Sequence, residues 1–311
     1  MAYVCTLVTL IALAVKGFCG KAVSTFAKDG THALLFNLIR VLLCIPISLA
    51  VLLLLGRGES LLPPDGLLAI SLLAGAANAA FLAFWMLAVQ KNTMVAVDVT
   101  LTMGSLLPAL LCALLFSEAI TPTRLLGFAL ILLAAFVLGK GGERKKGGPF
   151  GVLFVLLAAL GEGMVGFSQQ LYRQYYTETG ARFTGTAVPS EVYHLYTYLF
   201  AGAFLLLGTV AFRLFAKKDG QRGEEKSSAV PWHRVLLHIA VMAACLFLAN
   251  YAQTAASAVY GMPSEVLYPV VRGGTLILVN VTALFFGERF TPRTALGTLI
   301  ALGGILVMNL L

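Results

Sequence analysis

The sequence predicts an all-α polytopic membrane protein, with ten transmembrane helices arranged as two inverted five-helix repeats. Three observations carry that expectation: a composition suited to lipid, ten apolar segments of spanning length, and an ungapped internal repeat. Of the 311 residues, 59% are hydrophobic and only 12% charged, and the mean hydropathy is +0.90. A soluble domain carries about 25% charged residues. A chain this poor in charge has too little polar surface to meet water on all sides, so the bilayer is the natural solvent for most of it.

A helix needs about 20 mostly apolar residues to cross a hydrocarbon core of about 30 Å. Punctuated by Pro, Gly and charge, the chain offers such segments at 3–27, 32–55, 66–89, 93–116, 122–138, 149–172, 189–215, 231–258, 262–286 and 292–311. Several open at or beside Pro, which is tolerated where the first helical N–H needs no partner. Residues 1–27 lack the early basic region of a cleavable signal, since Lys16 and Lys21 come late, so the first helix is expected to be retained. Small residues recur inside the segments, at Ala74–Ala80, Gly17 and Gly20, Gly273 and Gly274, Gly303 and Gly304. In lipid such residues let helices approach closely, which is where association energy comes from. The connectors are short; the two most polar, 139–148 and 216–231, and the Tyr-rich stretch from Tyr172 to Ser190 are expected as linkers, the last two long enough to move.

The repeat is read directly. Phe116–Leu138 aligns without gaps on Phe286–Met308, matching Phe116 to Phe286, Glu118 to Glu288, Thr121 to Thr291, Pro122 to Pro292, Leu126 to Leu296, Gly127 to Gly297 and Leu132 to Leu302. Each copy closes a five-helix block. The chain therefore divides into a first repeat at 1–139, a basic linker at 140–148 and a second repeat at 149–311. Because five is odd, tandem blocks enter the membrane from opposite sides, an inverted repeat of the kind many secondary transporters use.

Several function classes lose support on composition. The net charge is +8 and the pI 9.3, but the basic residues flank apolar segments rather than forming a stripe with interleaved aromatics, so no nucleic acid is expected as a partner. The five cysteines (Cys5, Cys19, Cys44, Cys112, Cys245) lie in apolar segments without CxxC spacing, and the four histidines form no HExxH pattern. No metal site and no cofactor is expected. GEGMVG at Gly161–Gly166 satisfies GxGxxG literally, yet lacks the strand and aqueous βαβ unit of a dinucleotide site, so its glycines are expected to serve helix packing. Without GxSxG, HExxH or paired catalytic aspartates, an enzyme is not expected.

At FGERFTP (Phe286–Pro292) and its partner FSEAITP (Phe116–Pro122), with Arg40 in the second segment, the chain resembles the drug/metabolite transporter superfamily, specifically its ten-helix EamA type. The resemblance spans essentially the whole chain. It implies alternating access, a central site between the halves and transport without ATP hydrolysis. The chain departs from the family at Lys16-Gly17, where members often carry Trp-Gly, and has Ser117 and Ala119 in place of Gly and Arg in the first motif copy. A cation thus replaces an aromatic beside the expected cavity, and the substrates of other members do not carry over.

An integral plasma (inner) membrane protein is expected. Connectors after odd-numbered segments hold fourteen basic residues and those after even-numbered ones four (Arg57, Arg124, Arg173, Arg182). The positive-inside rule then places both termini outside, whereas the family norm places both inside.

An ionisable residue at a helix centre costs about 2.5–3.5 kcal/mol on insertion scales, so those present define the candidate site. Aligning KGFCG (Lys16–Gly20) with EGMVG (Glu162–Gly166) makes Lys16 and Glu162 pseudo-symmetric partners, read either as a structural ion pair or as groups flanking a charged substrate. Glu265, Tyr268 and Arg272 share a helix face at i, i+3, i+7 spacing, with Pro269 opening the backbone beside them; cavity lining and a buried ion-pair network both fit. Asp98, Thr102 and Ser105 form a similar stripe ahead of Pro108. Asn78, Phe81 and Trp85 share one face of the third segment, and Asn250, Gln253 and Ser257 one of the eighth; Gln169 lies two turns beyond Glu162. Trp85 reads as an interfacial aromatic or as a ring for stacking a cation. Glu118 and Glu288 read as helix-end caps. The substrate-binding set is thus Lys16, Trp85, Asp98, Glu162, Gln169, Asn250, Gln253, Glu265, Tyr268 and Arg272. The expected partners are membrane lipid and a small polar substrate, an amino acid or other zwitterion or carboxylate, with proton coupling through a buried acid as an option. Amines, cationic drugs and lipid flipping are the alternatives.

Overall fold

The structure, a computed structural model, describes all residues except 28–29, 59–60, 93, 118–119, 142–147, 219–231, 287–290 and 311. The helices are α1 (Ala2–Ser24), α2 (Gly30–Leu54), α3 (Asp65–Lys91), α4 (Met94–Gly104), α5 (Leu106–Phe116), α6 (Pro122–Gly141), α7 (Gly148–Tyr176), α8 (Ser190–Lys218), α9 (Trp232–Ala258), α10 (Ser264–Ala283) and α11 (Pro292–Leu310). No strand occurs among the described residues. An unpaired backbone amide is too costly in hydrocarbon for anything but a helix or a closed barrel, and the spacing of apolar residues here leaves only the helix.

Seven stretches are long and apolar enough to cross a bilayer: α1, α2, α3, Val97–Phe116, Phe150–Tyr176, Ser190–Leu214 and α9. Two shorter apolar helices, Pro122–Val137 and Pro292–Val307, accompany them. The fold is that of a polytopic helical membrane protein, and its surface agrees. Leu54, Leu62, Leu114, Phe136, Leu237 and Phe285 are exposed, while Lys16, Arg40, Asp98, Glu191, Glu265 and Arg272 are buried. Water would demand the opposite distribution.

The expected fourth segment is not one continuous helix. It divides at Ser105 into α4 and α5, because Pro108 lacks the N–H that would bond the Gly104 carbonyl. Ser105 keeps right-handed helical angles (φ −67, ψ −15) and its hydroxyl donates to the Thr102 carbonyl at 2.7 Å, so the backbone does not unwind at the break. The stretch after Tyr172, expected as a mobile connector, is tied back instead. Helix α7 continues to Tyr176, the Tyr172 hydroxyl donates to the Val188 carbonyl at 2.6 Å, and the Val188 N–H donates to the Tyr176 carbonyl.

The principal helix pairs are α1 with α9, α3 with α7, α2 with α8 and α6 with α11, while α10 packs on α1, α4, α5 and α11. The GEGMVG run lets three neighbouring helices approach α7 closely. A Cβ on Gly161 would stand 2.8 Å from the Phe81 nitrogen of α3, and one on Gly163 2.7 Å from the Gly104 carbonyl oxygen of α4. One on Gly166 would meet the Tyr268 ring of α10 at 2.8 Å. Three glycines thus face three different helices, and Glu162 is inserted among them.

One end of the bundle is laced by polar contacts. Arg57, just past α2, donates to both carboxylate oxygens of Glu191 in the first turn of α8, at 3.0 Å each, and the Tyr251 hydroxyl of α9 donates to the same group at 2.8 Å. Arg124 of α6 pairs with Glu265 of α10, Arg182 donates to the Leu115 carbonyl and Thr179 to the Ala258 carbonyl. The Glu191 side chain is fully buried while Arg57 is half exposed. Arg57→Gln is therefore expected to cost about 1–3 kcal/mol, the penalty of a buried acceptor losing its charged donor, read as a lower unfolding temperature in detergent. Glu191→Gln in the same chain is expected to recover most of the loss; no recovery would mean the two groups do not act as a pair.

Candidate functional site

Two small cavities lie between the helices and share a wall made by Leu13, Lys16, Phe81 and Arg272. The smaller, about 20 Å³, also touches Trp85, Asp98 and Thr275; the larger, about 40 Å³, also touches Asn78, Glu162, Asn250, Gln253 and Tyr268. A single water needs about 10–15 Å³ on this scale, so in this conformation the space holds only a few waters. Polar groups from α1, α3, α4, α7, α9 and α10 meet there.

Lys16 is 4% exposed and makes no ion pair among the described residues. Its ammonium lies over two aromatic rings of α3, 5.0 Å from the Phe81 centroid and 5.9 Å from that of Trp85. Such contacts are worth about 2 kcal/mol when desolvated, less than the hydration the ammonium has lost. Trp85 reaches this position because Gly20, one turn on from Lys16, has no side chain: a Cβ there would collide with the indole. The Arg40 guanidinium covers the same indole at 5.8 Å; it is fully buried and hydrogen-bonds Asn37.

The charges divide into pairs that sequence spacing does not show. Arg272 pairs with Glu162 of α7, not with Glu265 seven residues before it. Glu265 pairs with Arg124 at the laced end and touches neither cavity. Lys16 and Glu162 do line the same cavity, as their matched positions predict, but the ion pair is Glu162 with Arg272. Asp98 lines the smaller cavity, and its charged neighbours are Arg272 and Lys16.

Behind the larger cavity runs a hydrogen-bonded ridge. The Tyr268 hydroxyl donates to the Gly166 carbonyl at 2.6 Å and receives a bond from the Gln170 amide at 3.1 Å. The Gln253 amide donates to Gln169 Oε1 at 3.1 Å, and the Asn250 amide to the Tyr198 hydroxyl at 3.1 Å. Asn250, Gln253 and Tyr268 face the cavity, whereas Gln169, which does not line it, accepts from Gln253.

The fold is a known one. A solved crystal structure superposes with a TM-score of 0.70 at 16% sequence identity, covering 98% of this chain and 97% of its own. At that identity the likeness establishes architecture and nothing about activity. No protein-family model matches the chain, and no curated protein is similar to it.

Of the ten candidate residues, Lys16, Trp85, Asp98, Glu162, Asn250, Gln253, Tyr268 and Arg272 converge on the two cavities. Gln169 supports them, and Glu265 lies apart. Trp85 is 5% exposed, so the interfacial-aromatic reading is corrected: the i, i+4 stripe with Phe81 turns it inward. Thr102 and Ser105 spend their hydroxyls on carbonyls of their own helix. Glu118 and Glu288 lie outside the described residues. Sequence reading missed the Arg57–Glu191–Tyr251 cluster; Glu191 directly behind the Pro189-Ser190 helix start was the available signal. No cluster of three or more His, Cys, Asp or Glu able to hold a metal occurs among the described residues.

Proposed function

We propose that the chain is a secondary-active transporter of a small polar metabolite, an amino acid or other zwitterion or carboxylate, working by alternating access. Its ten spans would form two inverted five-helix repeats of the EamA type of the drug/metabolite transporter superfamily. One observation carries this reading: charged groups of both signs, the buried Lys16, Arg272 and Asp98 and the partly buried Glu162, line contiguous cavities where the two halves of the chain meet. Charges at this depth are costly and mark substrate or ion pathways, and a structural role alone gives no reason for Lys16 and Asp98 to stand without direct ion partners among the described residues.

The helix pairing supports the repeat. With α4 and α5 counted as one span, an internal two-fold would exchange each span with the fifth one after it. Under that exchange α1–α9 becomes α7–α3, while α2–α8, α6–α11 and the α4/α5–α10 contact map onto themselves, and these are the pairs that occur. A site on such an axis is reached from either side by rocking one half against the other.

Reconstituted protein is expected to accumulate labelled polar amino acids or small carboxylates by counterflow, with uptake falling by about tenfold or more in Lys16→Ala, as for loss of an essential charged contact. Vesicles with and without a pH gradient test proton coupling in the same experiment. Uptake no greater than in protein-free liposomes, across amino acids, carboxylates and amines, would sink the transport reading.

A further inference from the structure

Polar contacts at the laced end join the first half of the chain to the second. Arg57 binds Glu191, Arg124 pairs with Glu265, and the Tyr196 hydroxyl donates to the Leu61 carbonyl at 3.0 Å. The connector between α7 and α8 adds a strap. It folds back on α7, with the Arg182 N–H on the Gln174 carbonyl and the Thr184 N–H on that of Tyr175. From there the Arg182 side chain crosses to the end of α5. Its guanidinium donates to the Leu115 carbonyl at 2.8 Å and lies 5.2 Å from the Phe116 ring centroid. One turn further in from Glu265, the Gln170 amide bridges to the Tyr268 hydroxyl and ties α7 to α10.

The opposite end is held differently. Helix α3 begins just after Leu61 and runs 27 residues, about 40 Å, so its last turn lies at that far end. The smaller cavity reaches this turn, where Val89, Met94 and Val279 line it. Val89 is near the end of α3, and Met94 is the first residue of α4. The described lining thus ends on three apolar side chains, one of them a methionine, which re-packs readily. Two contacts join the halves nearby, the Asn92 amide to the Gly151 carbonyl at 3.3 Å and the Lys91 ammonium over the Phe154 ring. The first is a neutral hydrogen bond, weaker than the charge-assisted ones at the laced end.

We propose that the Arg57–Glu191 and Arg124–Glu265 pairs, with the Arg182 strap, form a latch between the halves. The latch seals the laced end, and the cavities are reached past Met94 from the other. This rests on the cavities being the substrate site and adds the side from which this conformation loads it.

Opening the laced end would part both ion pairs together and strand Glu191 and Glu265, which are 0% and 4% exposed. Opening the far end is first a matter of repacking Val89, Met94 and Val279. When one half rocks against the other, the two openings exclude each other, so releasing the latch closes the Met94 side. Ion pairs with a structural role alone predict something else, a general loosening that exposes both sides.

Thiol labelling of the detergent-purified full chain tests the latch without any substrate. Two conservative reporters serve: Thr275→Cys in the smaller cavity, and Ser257→Cys, one turn from Gln253 toward the laced end. Both native residues are buried. Peptide mass spectrometry after reaction with a charged methanethiosulfonate separates each reporter from the five native cysteines. Thr275→Cys is expected to react faster than Ser257→Cys by about tenfold or more, because a minor open state holds about 10% of molecules or fewer. Arg57→Gln with Glu191→Gln and Arg124→Gln with Glu265→Gln, combined, neutralise the latch. In that chain the Ser257→Cys rate is expected to rise about tenfold and the Thr275→Cys rate to fall about threefold. If the combined variant does not fold, each pair is neutralised alone, with a rise of about threefold expected at Ser257→Cys. If neither of those folds, the reporter comparison in the intact chain decides. Equal reactivity of the two reporters with the latch intact overturns the proposal, and so does any response to neutralisation other than opposed changes. Opposed changes without uptake of any substrate class would keep the latch and end the transport reading; uptake with both rates rising would do the reverse.

Discussion

Arg272→Met is expected to destabilise the protein by about 3–5 kcal/mol, the cost of removing one partner of a buried ion pair. The reason is the Glu162 carboxylate, which is held against Arg272 among close-packed helices and whose second oxygen has no other partner among the described residues. The mirror change, Glu162→Gln, is expected to cost less. Arg272 keeps Asp98 as a neighbouring anion, so its charge is not stranded to the same degree. The double variant should recover most of the Arg272→Met loss, since two neutral groups of similar volume avoid the desolvation problem. Unfolding temperature in detergent, followed for both single variants and the double, measures all three. Equal losses for the two single changes, simply summed in the double, would show that these groups do not interact.

The second large effect is steric. Gly161→Ala is expected to cost at least about 1–3 kcal/mol, the range for overpacking, because the added carbon would stand 2.8 Å from the Phe81 nitrogen and 3.1 Å from the Ala77 carbonyl oxygen. Both are backbone atoms and have no rotamer to move into. Helices α3 and α7 would have to separate, carrying Asn78, Phe81 and Trp85 away from Lys16 and Glu162. Gly208→Ala is the control: nothing lies within 4 Å of its added carbon, and a change of less than about 0.5 kcal/mol is expected. Yield of monodisperse protein and unfolding temperature report the contrast. Equal tolerance at both positions would mean that α3 and α7 are not in backbone contact.

Much of the cavity lining was readable from spacing. Lys16 and Glu162 were matched through their glycines, and both line one cavity. Asn78, Phe81 and Trp85 share a face at helical spacing, and the structure turns that face inward. Such inward placements are legible because the cost of a charge or amide in lipid is a property of one residue at one depth, and depth follows from counting along an apolar segment. The same reasoning failed on partners. Glu265 and Arg272 share a helix face two turns apart, yet one pairs with Arg124 and the other with Glu162. Both partners come from other helices, and no pattern within α10 reveals which neighbour its two ends meet.

What the amino-acid order alone determined is therefore the all-helical membrane architecture, the apolar segments and the identity of the residues too polar to face lipid. Each of these is a transfer free energy that a segment settles with the bilayer by itself. The tertiary structure decided the rest: the helix break at Ser105, the inward place of Trp85, the choice of Glu162 by Arg272 and the lacing of one end through Glu191. Those depend on the rotation and crossing of helices against each other, set by where glycines allow backbones to touch, a relation between distant parts of the chain that local hydropathy does not encode.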